Sequence, residues 1–254
     1  MKQDQLDKRI HSYNSWRERL IETVGQFQAW LESHDLATPD QEFTIFEAID
    51  ALRKDSLTVA FVAEFSRGKT ELINALFFSH YGQRLLPSEA GRTTMCPTEL
   101  FYDRDNEQAY IHLLPIETRL QDQSIADFRH EPIHWTQIAL EVNNTDQVAE
   151  ALHEVIKTKQ VPVARARELG LYDEQTDPYF QAHKRPPAQV EIPHWRHALI
   201  SFPHELLKQG LVVLDTPGLN AMGHEPELTL NMLPAALALL FLLGAYTGVT
   251  RRDM

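Results

Sequence analysis

The order of a strand-like run, a short polar loop and a helix-like run between residues 57 and 78 constrains the fold more than any other stretch of the chain. Residues 57–63 read LTVAFVA, which is typical of a strand, and residues 70–78 read TELINALFF, which is typical of a helix. Strand, tight loop and helix in this order begin a βα unit. The sequence therefore predicts an α/β fold.

The polar loop AEFSRGKT matches the phosphate-binding pattern GxxxxGK[ST] at every position but the first, where Ala63 replaces glycine. In this pattern, backbone N–H groups of the loop and of the helix start point at phosphate oxygens. Gly68 lets the backbone approach closely, Lys69 is expected to reach the β- and γ-phosphates, and Thr70 to offer its hydroxyl to Mg²⁺. The predicted phosphate-binding residues are Ala63, Glu64, Phe65, Ser66, Arg67, Gly68, Lys69 and Thr70.

A second motif, Asp215-Thr216-Pro217-Gly218, directly follows the apolar run GLVVL. An acid at the carboxyl end of a strand beside the first βα loop is placed to hold Mg²⁺ through water. The backbone N–H of Gly218 can donate to a γ-phosphate because no side chain stands in the way. Asp-rich turns after strands are common, so this motif gains weight from the Gly-Lys-Thr loop that precedes it.

The stretch between the two motifs, residues 86–98, contains Gly, Thr and Pro. Such a loop can become ordered over a bound nucleotide, with a Thr hydroxyl or carbonyl reaching Mg²⁺ in the triphosphate state only. Taken alone, this stretch is equally typical of an ordinary polar turn.

Together, AEFSRGKTELINALFF, LPSEAGRTTMCPTE and LVVLDTPGLNAMGHEPELT resemble the GTPase domain of bacterial dynamin-like proteins, over residues 56–101 and 190–254. The resemblance implies a three-layer P-loop NTPase fold with a mostly parallel central sheet. It also implies Mg²⁺-dependent GTP binding and hydrolysis, release of GDP, self-association across the nucleotide face and membrane remodelling. The expected domains are a P-loop GTPase domain over residues 56–254 and a neck-like helical hairpin over residues 1–55.

The resemblance also suggests catalytic residues. Thr94, in the T-x-x-P setting, matches the family's switch threonine and is expected to complete the metal shell with Thr70 and Asp215. Ser66 matches a position that helps to place the catalytic water and a charge-compensating cation. Arg67 suits an internal arginine finger, although a solvated loop arginine fits equally well. Phe65 cannot hydrogen-bond through its side chain, so the water-positioning role stays unassigned.

Apolar residues at steps of three and four predict one long helix over residues 3–34 and a second through residues 43–52. Thr38 is a candidate cap of the second helix, with Pro39 at the first helical position and Gln41 completing a box-like pattern. The apolar stripe of the long helix needs a partner. Packing of the two helices on their own domain alone is an open alternative.

The long segment between residues 86–98 and the Asp215-Thr216-Pro217-Gly218 motif is less informative. Residues 143–159 predict a helix with Asn144 or Thr145 as its cap, residues 165–187 a loop, and residues 198–202 a strand. The function of the segment from Asp103 to Pro193 is not predicted.

Residues 228–250 are 23 residues without a charge, long enough to span a membrane. Asn231 and Pro234 interrupt the start of this segment, and Gly244 and Gly248 interrupt its end. The remaining run, 235–243, predicts a central parallel strand covered on both faces. A C-terminal tail anchor is the alternative.

The charge balance and the cysteine count exclude other classes of function. With 24 Lys and Arg against 36 Asp and Glu, the net charge of −12 does not favour nucleic-acid binding. The single cysteine, Cys96, excludes an intramolecular disulfide and a multi-Cys zinc site. The N-terminus has no apolar run typical of a secretory signal, so we expect a cytoplasmic protein. The resemblance implies a membrane surface as a partner of the complete protein.

No [NT]-K-x-D motif, which selects guanine in GTPases of this class, follows Asp215. We therefore expect that the GTPase domain is truncated, and the preference for GTP over ATP depends on the resemblance. Two alternative functions stay open. One is a non-catalytic helical interaction module with a degenerate nucleotide site, and the other is a membrane protein anchored through residues 228–250.

Overall fold

The computed structural model describes residues 2–34, 36–53, 56–63, 68–86, 96–175, 177–216 and 236–243. The chain divides into two compact units, Met1–Ser56 and Leu57–Met254.

The first unit consists of two helices that contact each other, α1 (Lys2–Ser33) and α2 (Pro39–Arg53). The predicted cap of α2 is confirmed, because the Gln41 backbone N–H donates to Thr38 Oγ1 at 3.4 Å and the Thr38 N–H donates to Gln41 Oε1 at 3.1 Å. Much of the aromatic surface of the two helices stays exposed, at Tyr13, Trp16, Phe27, Trp30, Phe43 and Phe46.

The second unit is built of strands and short helices. Its strands are β1 (Leu57–Ala63), β2 (Thr98–Phe101), β3 (Tyr110–Pro115), β4 (Thr136–Ala139), β5 (Thr158–Pro162), β6 (Gln189–Pro193), β7 (Trp195–Ser201), β8 (Leu211–Asp215) and β9 (Ala238–Leu242). Its α-helices are α3 (Lys69–Phe77), α4 (Ile125–Phe128), α5 (Thr145–Val155), α6 (Val163–Glu168), α7 (Pro178–His183) and α8 (Glu205–Lys208). Single 3₁₀ turns lie at Ser79–Tyr81, Ile116–Leu120 and Pro132–His134.

Seven of these strands form one mixed sheet in the order β4-β3-β7-β2-β8-β1-β9. β1 is parallel to both of its neighbours, β8 and β9, and β2 is parallel to β7. The pairs β2–β8, β3–β7 and β3–β4 are antiparallel. The predicted α/β class with a central sheet is therefore confirmed.

The main core lies between one face of this sheet and the helices packed on it. Because side chains alternate along a strand, Ile111, Leu113, Ala198 and Ile200 point into this core together with Phe77 and Leu152 of the helices. β1 is buried without alternation from Ala60 to Ala63, as expected for a strand with neighbours on both sides and packing on both faces.

The segment after β4 departs from the predicted boundaries. α5 begins at Thr145, with Asn144 as its cap, but ends at Val155, because β5 starts at Thr158 and pairs with β6. The predicted loop over residues 165–187 is wrong in part, since it contains the end of α6 and the whole of α7. Asp177 caps α7, and the side chains of α6 fill a small second core, which consists of Ile116, Val163, Ala166, Leu169, Tyr172 and Ile192.

The apolar run 235–243 contains the predicted strand, β9, which is parallel to β1. The prediction that it is central and covered on both faces is wrong for the part of the chain that the structure describes. β9 lies at the edge of the sheet, and Leu239, Leu240 and Phe241 are 40–47% exposed. Among the described residues, no helix combines the length and the hydropathy needed to cross a membrane.

His197 on β7 lies on the sheet face opposite the main core and is 1% exposed. Neither ring nitrogen has a hydrogen-bond partner in the described part of the chain, and Nε2 lies 4.0 Å from Glu99 Oε2. Burial, and then the positive charges of Arg129 and Arg196, lower the pKa of His197 to about 3. The folded protein therefore keeps this imidazole neutral.

We expect His197 to make folding stability depend on pH. Between pH 6.5 and 3 the unfolded chain binds a proton at this histidine and the folded chain does not, so stability falls as the pH is lowered through this window. The free energy of unfolding should fall by at most about 1.4 kcal/mol per pH unit from this group. Urea denaturation at pH 7.0, 6.0 and 5.0 measures it.

The variant His197→Phe removes the titrating group and should flatten the pH dependence over this window. His130→Gln, at an exposed position, is the matched control and should leave the dependence as in the wild type. An unchanged slope in His197→Phe would contradict the assignment.

Candidate nucleotide site

The junction of β1 and α3 carries the first part of the candidate site. β1 ends at Ala63 and α3 begins at Lys69, with Gly68 as its N-cap. Gly68 has a φ of 81°, a left-handed conformation that glycine adopts without the strain that a Cβ would cause. The Leu72 N–H donates to the Gly68 carbonyl at 2.9 Å, so the first helical turn is closed around this residue. The first N–H groups of an α-helix have no acceptor within the helix itself, and they point out of the helix start.

The carboxyl end of β8 carries the second part. β1 and β8 are parallel and in register from Leu57↔Leu211 to Phe61↔Asp215, so the strand end with Asp215 lies beside the β1–α3 junction. Lys69 Nζ lies 3.1 Å from Asp215 Oδ1, and the two side chains are only 9% and 8% exposed. The structure therefore brings the two predicted motifs together.

The contact between Lys69 and Asp215 is an ion pair without hydrogen-bond geometry. Both Nζ and Oδ1 are buried, and neither has a hydrogen-bond partner among the described residues. Buried polar atoms of native proteins are normally paired. An ammonium and a carboxylate without hydrogen-bond partners are suited to a ligand that supplies hydrogen-bond acceptors for the ammonium and a cation for the carboxylate.

A phosphate with Mg²⁺ fits this set of groups. The ammonium of Lys69 can donate to phosphate oxygens, and the first turn of α3 adds N–H groups and the positive end of its dipole. The half-buried Thr70 and the carboxylate of Asp215 supply the oxygen ligands that Mg²⁺ prefers.

Thr216 has a structural part in the site that the sequence did not indicate. It is fully buried, and its Oγ1 donates to the Phe61 carbonyl at 2.9 Å. This bond fastens the end of β8 to β1 one residue after Asp215, so it helps to hold the carboxylate in place. The only sequence signal is a hydroxyl residue directly after the acid.

The start of β2 lies on the other side of Asp215. Thr98 is the register partner of Asp215, and Thr98 Oγ1 donates to the Cys96 carbonyl at 3.2 Å. Burial, and then the negative charge of Asp215, raise the pKa of the Cys96 thiol, so this cysteine stays protonated. The end of the stretch 86–98 is therefore anchored at the candidate site.

Five of the predicted residues lie at this edge of the sheet: Ala63, Gly68, Lys69, Thr70 and Asp215. The others lie outside the described residues: Glu64, Phe65, Ser66, Arg67, Thr94 and Gly218.

A comparison with protein families identifies the chain. The sequence model of the Dynamin family matches residues 59–254, which is most of the chain, so the protein belongs to the dynamin family. Members of this family carry a GTP-binding domain, in keeping with the strand, loop and acid described above. No curated protein sequence matches the chain.

Two solved structures similar to this chain belong to an oligomerised bacterial dynamin pair, described as a mechanism for the long-range sensing and tethering of membranes. The first is 15% identical, with 94% of this chain and 30% of that chain covered and a TM-score of 0.48. The second is 14% identical, with 93% and 34% covered and a TM-score of 0.45. The chain thus spans about a third of the length of these structures.

We expect a strong energetic coupling between Lys69 and Asp215 in the nucleotide-free protein. Lys69→Met or Asp215→Asn alone leaves one buried charge without its partner, which should lower the free energy of unfolding by about 3 kcal/mol. The double variant leaves no unpaired charge and should lose about 1–3 kcal/mol less than the sum of the two single losses. Urea denaturation of the four proteins at neutral pH measures the coupling.

The exposed pair of Lys157 and Glu154 is a matched control, with Lys157 57% exposed. Its coupling should not exceed about 1 kcal/mol. Strictly additive losses at Lys69 and Asp215 would show that the two charges do not stabilise each other.

Proposed function

We propose that this chain carries a Mg²⁺-dependent GTPase domain that binds GTP and hydrolyses it to GDP and phosphate. The observation that carries the proposal is the buried pair of Lys69 and Asp215 at the carboxyl edge of the sheet, beside the start of α3. Membership of the dynamin family supports the choice of GTP over ATP.

Lys69 is the main phosphate-binding residue of the proposal. When a triphosphate binds, the Lys69 ammonium exchanges its contact with Asp215 for phosphate oxygens, and charge-assisted hydrogen bonds of this kind are about twice as strong as neutral ones. We assign phosphate binding to the backbone of residues 63–70, with Gly68 allowing close approach, and we assign to Gly218 the N–H that would donate to the γ-phosphate.

Thr70, Thr94 and Asp215 would hold Mg²⁺. The ion, when bound, neutralises negative charge on the β- and γ-phosphates. Thr70 would hold the ion from the first turn of α3 and Asp215 from the end of β8, so the two ligands lie on neighbouring elements.

In the hydrolytic step, the oxygen of a water molecule bonds to the γ-phosphorus, the bond from the γ-phosphorus to the β–γ bridging oxygen breaks, and GDP leaves, while one proton of the water passes to the phosphate product or to solvent. We include Ser66 in the catalytic set because it matches the family position near the water and the charge-compensating cation, and we assign Arg67 to stabilisation of the charge that develops on the γ-phosphate oxygens. Thr94 is the third residue of this catalytic set. These three assignments follow from the family resemblance.

The proposal extends to the complete protein. We infer that residues 1–55 form a neck-like helical hairpin and residues 56–254 the GTPase domain, which self-associates with a second copy across its nucleotide face. Membrane remodelling from the cytoplasmic side, with a membrane surface as partner, would be the function of the longer protein.

Substitution of Lys69 tests the proposal. Lys69→Ala should weaken binding of GTP with Mg²⁺ by about 100-fold or more, because it removes the only described ammonium at the phosphate position, and phosphate release should fall to background. Isothermal titration calorimetry and a phosphate-release assay measure the two effects. Lys157→Ala, at an exposed lysine, is the control and should behave as the wild type.

Two results would go against the proposal. Unchanged GTP affinity in Lys69→Ala would exclude this site as the phosphate-binding site. If ATP and GDP displaced bound GTP from the wild-type protein equally well, the site would still be a phosphate-binding site, but the proposed selection of guanine would be contradicted.

A further inference from the structure

The ion pair of Lys69 and Asp215 joins two groups that the proposed function assigns to different ligands. The Lys69 ammonium is assigned to phosphate oxygens and the Asp215 carboxylate to Mg²⁺, yet Lys69 Nζ lies 3.1 Å from Asp215 Oδ1. Both side chains are less than one tenth exposed, so the contact is largely protected from screening by salt. Each of the two groups therefore lies where the ligand of the other would bind.

The backbone is fixed at both ends of this contact. Lys69 is the first residue of α3, directly after the N-cap Gly68. Asp215 is the last residue of β8, and the next residue, Thr216, donates through Oγ1 to the Phe61 carbonyl of β1 at 2.9 Å. The lysine ammonium stands on a flexible four-carbon stem, whereas the carboxylate of an aspartate lies close to its backbone. The two charges therefore separate most easily by a change in the Lys69 side chain.

We propose that this ion pair makes the binding of nucleotide and the binding of Mg²⁺ depend on each other. Lys69, once drawn to phosphate, leaves the Asp215 carboxylate free for a cation, and Asp215, once bound to a cation, leaves the ammonium free for phosphate. The first ligand has to break the contact, and the second finds its group already released, which is positive coupling. The inference rests on the proposed function and adds that either ligand alone binds weakly.

The variant Asp215→Asn tests the nucleotide side of the coupling. In EDTA, where no divalent cation takes part, it should bind GDP about 10-fold more tightly than the wild type, a factor within the range usual for coupled sites. The reason is that Lys69 no longer has to leave a carboxylate. A general loss of stability would not tighten binding, and loss of a metal ligand would have no effect in EDTA. Isothermal titration calorimetry measures the affinity.

Removal of a negative charge near phosphate would also tighten GDP binding without any part for Lys69. The double variant Lys69→Met/Asp215→Asn separates the two causes. If the tightening comes from release of Lys69, Asp215→Asn should have no effect on GDP affinity when Lys69 is already replaced by Met. Equal tightening with and without Lys69 would overturn the proposal. Lys69→Gln, which keeps a donor for Asp215 but no charge, serves as the reference where Lys69→Met does not fold.

The variant Lys69→Met tests the metal side of the coupling, with Mn²⁺ as a paramagnetic probe in the full chain freed of nucleotide. Because Asp215 has lost its partner, this variant should bind an additional Mn²⁺ that the wild type does not bind, and Mg²⁺ should displace it. Electron paramagnetic resonance of free Mn²⁺ measures the binding. Lys69→Met/Asp215→Asn should lose the additional ion. Lys157→Met, which releases Glu154 from an exposed ion pair, is the matched control and should bind as the wild type does.

The outcomes distinguish this inference from the proposed function. Wild-type protein that binds neither GTP nor GDP in the presence of Mg²⁺ overturns both. Wild-type protein that binds these nucleotides, together with unchanged or weaker GDP binding by Asp215→Asn in EDTA, overturns the coupling alone. A folded Lys69→Met variant that binds no more Mn²⁺ than the wild type also overturns it, because Lys69 would then not compete with the cation for Asp215.

Discussion

The parallel register of β1 and β8 places an ammonium and a carboxylate 3.1 Å apart in a nearly dry environment, and the candidate site is organised around this contact. A buried ion pair contributes little stability by itself, because desolvation of the two charges offsets their attraction. The ion pair matters here because it fixes the position of the two charged groups. Each charge prevents the other from being left alone in the core, so the nucleotide-free protein can keep both groups in place for a ligand that separates them.

The long segment between β2 and β7 is joined closely to the sheet. Ser201 at the end of β7 donates through Oγ to the Gln108 carbonyl at 2.6 Å, and Arg196 donates to the carbonyls of Thr118 and Gln123. Glu99 of β2 forms an ion pair with Arg129, which precedes β4. These bonds make residues 102–194 an extension of the same sheet, with the small β5–β6 sheet added to it.

Local signals in the sequence were sufficient to predict the structure where a single short motif determines it. The β1–α3 junction follows from an apolar run and a Gly-Lys-Thr loop, and the start of α2 follows from Thr38, Pro39 and Gln41. The sequence could predict that Lys69 and Asp215 lie near each other, because the carboxyl ends of parallel strands lie at the same edge of the sheet. The role of Thr216 was not predictable, since its partner lies 155 residues away in sequence. The exposure of β9 depends on which strands lie beside it, a tertiary property that an apolar run does not encode.

The four tryptophans are divided between the two units in a way that is useful for spectroscopy. Trp16 and Trp30 on α1 are each 49% exposed. In the second unit, the indole N–H groups of Trp135 and Trp195 both donate to backbone carbonyls, of Phe128 and Glu154, and Trp195 is buried. Emission that acrylamide quenches readily therefore arises chiefly from the helical unit, so binding of any molecule to its aromatic surface can be followed without a label while the nucleotide site is studied separately.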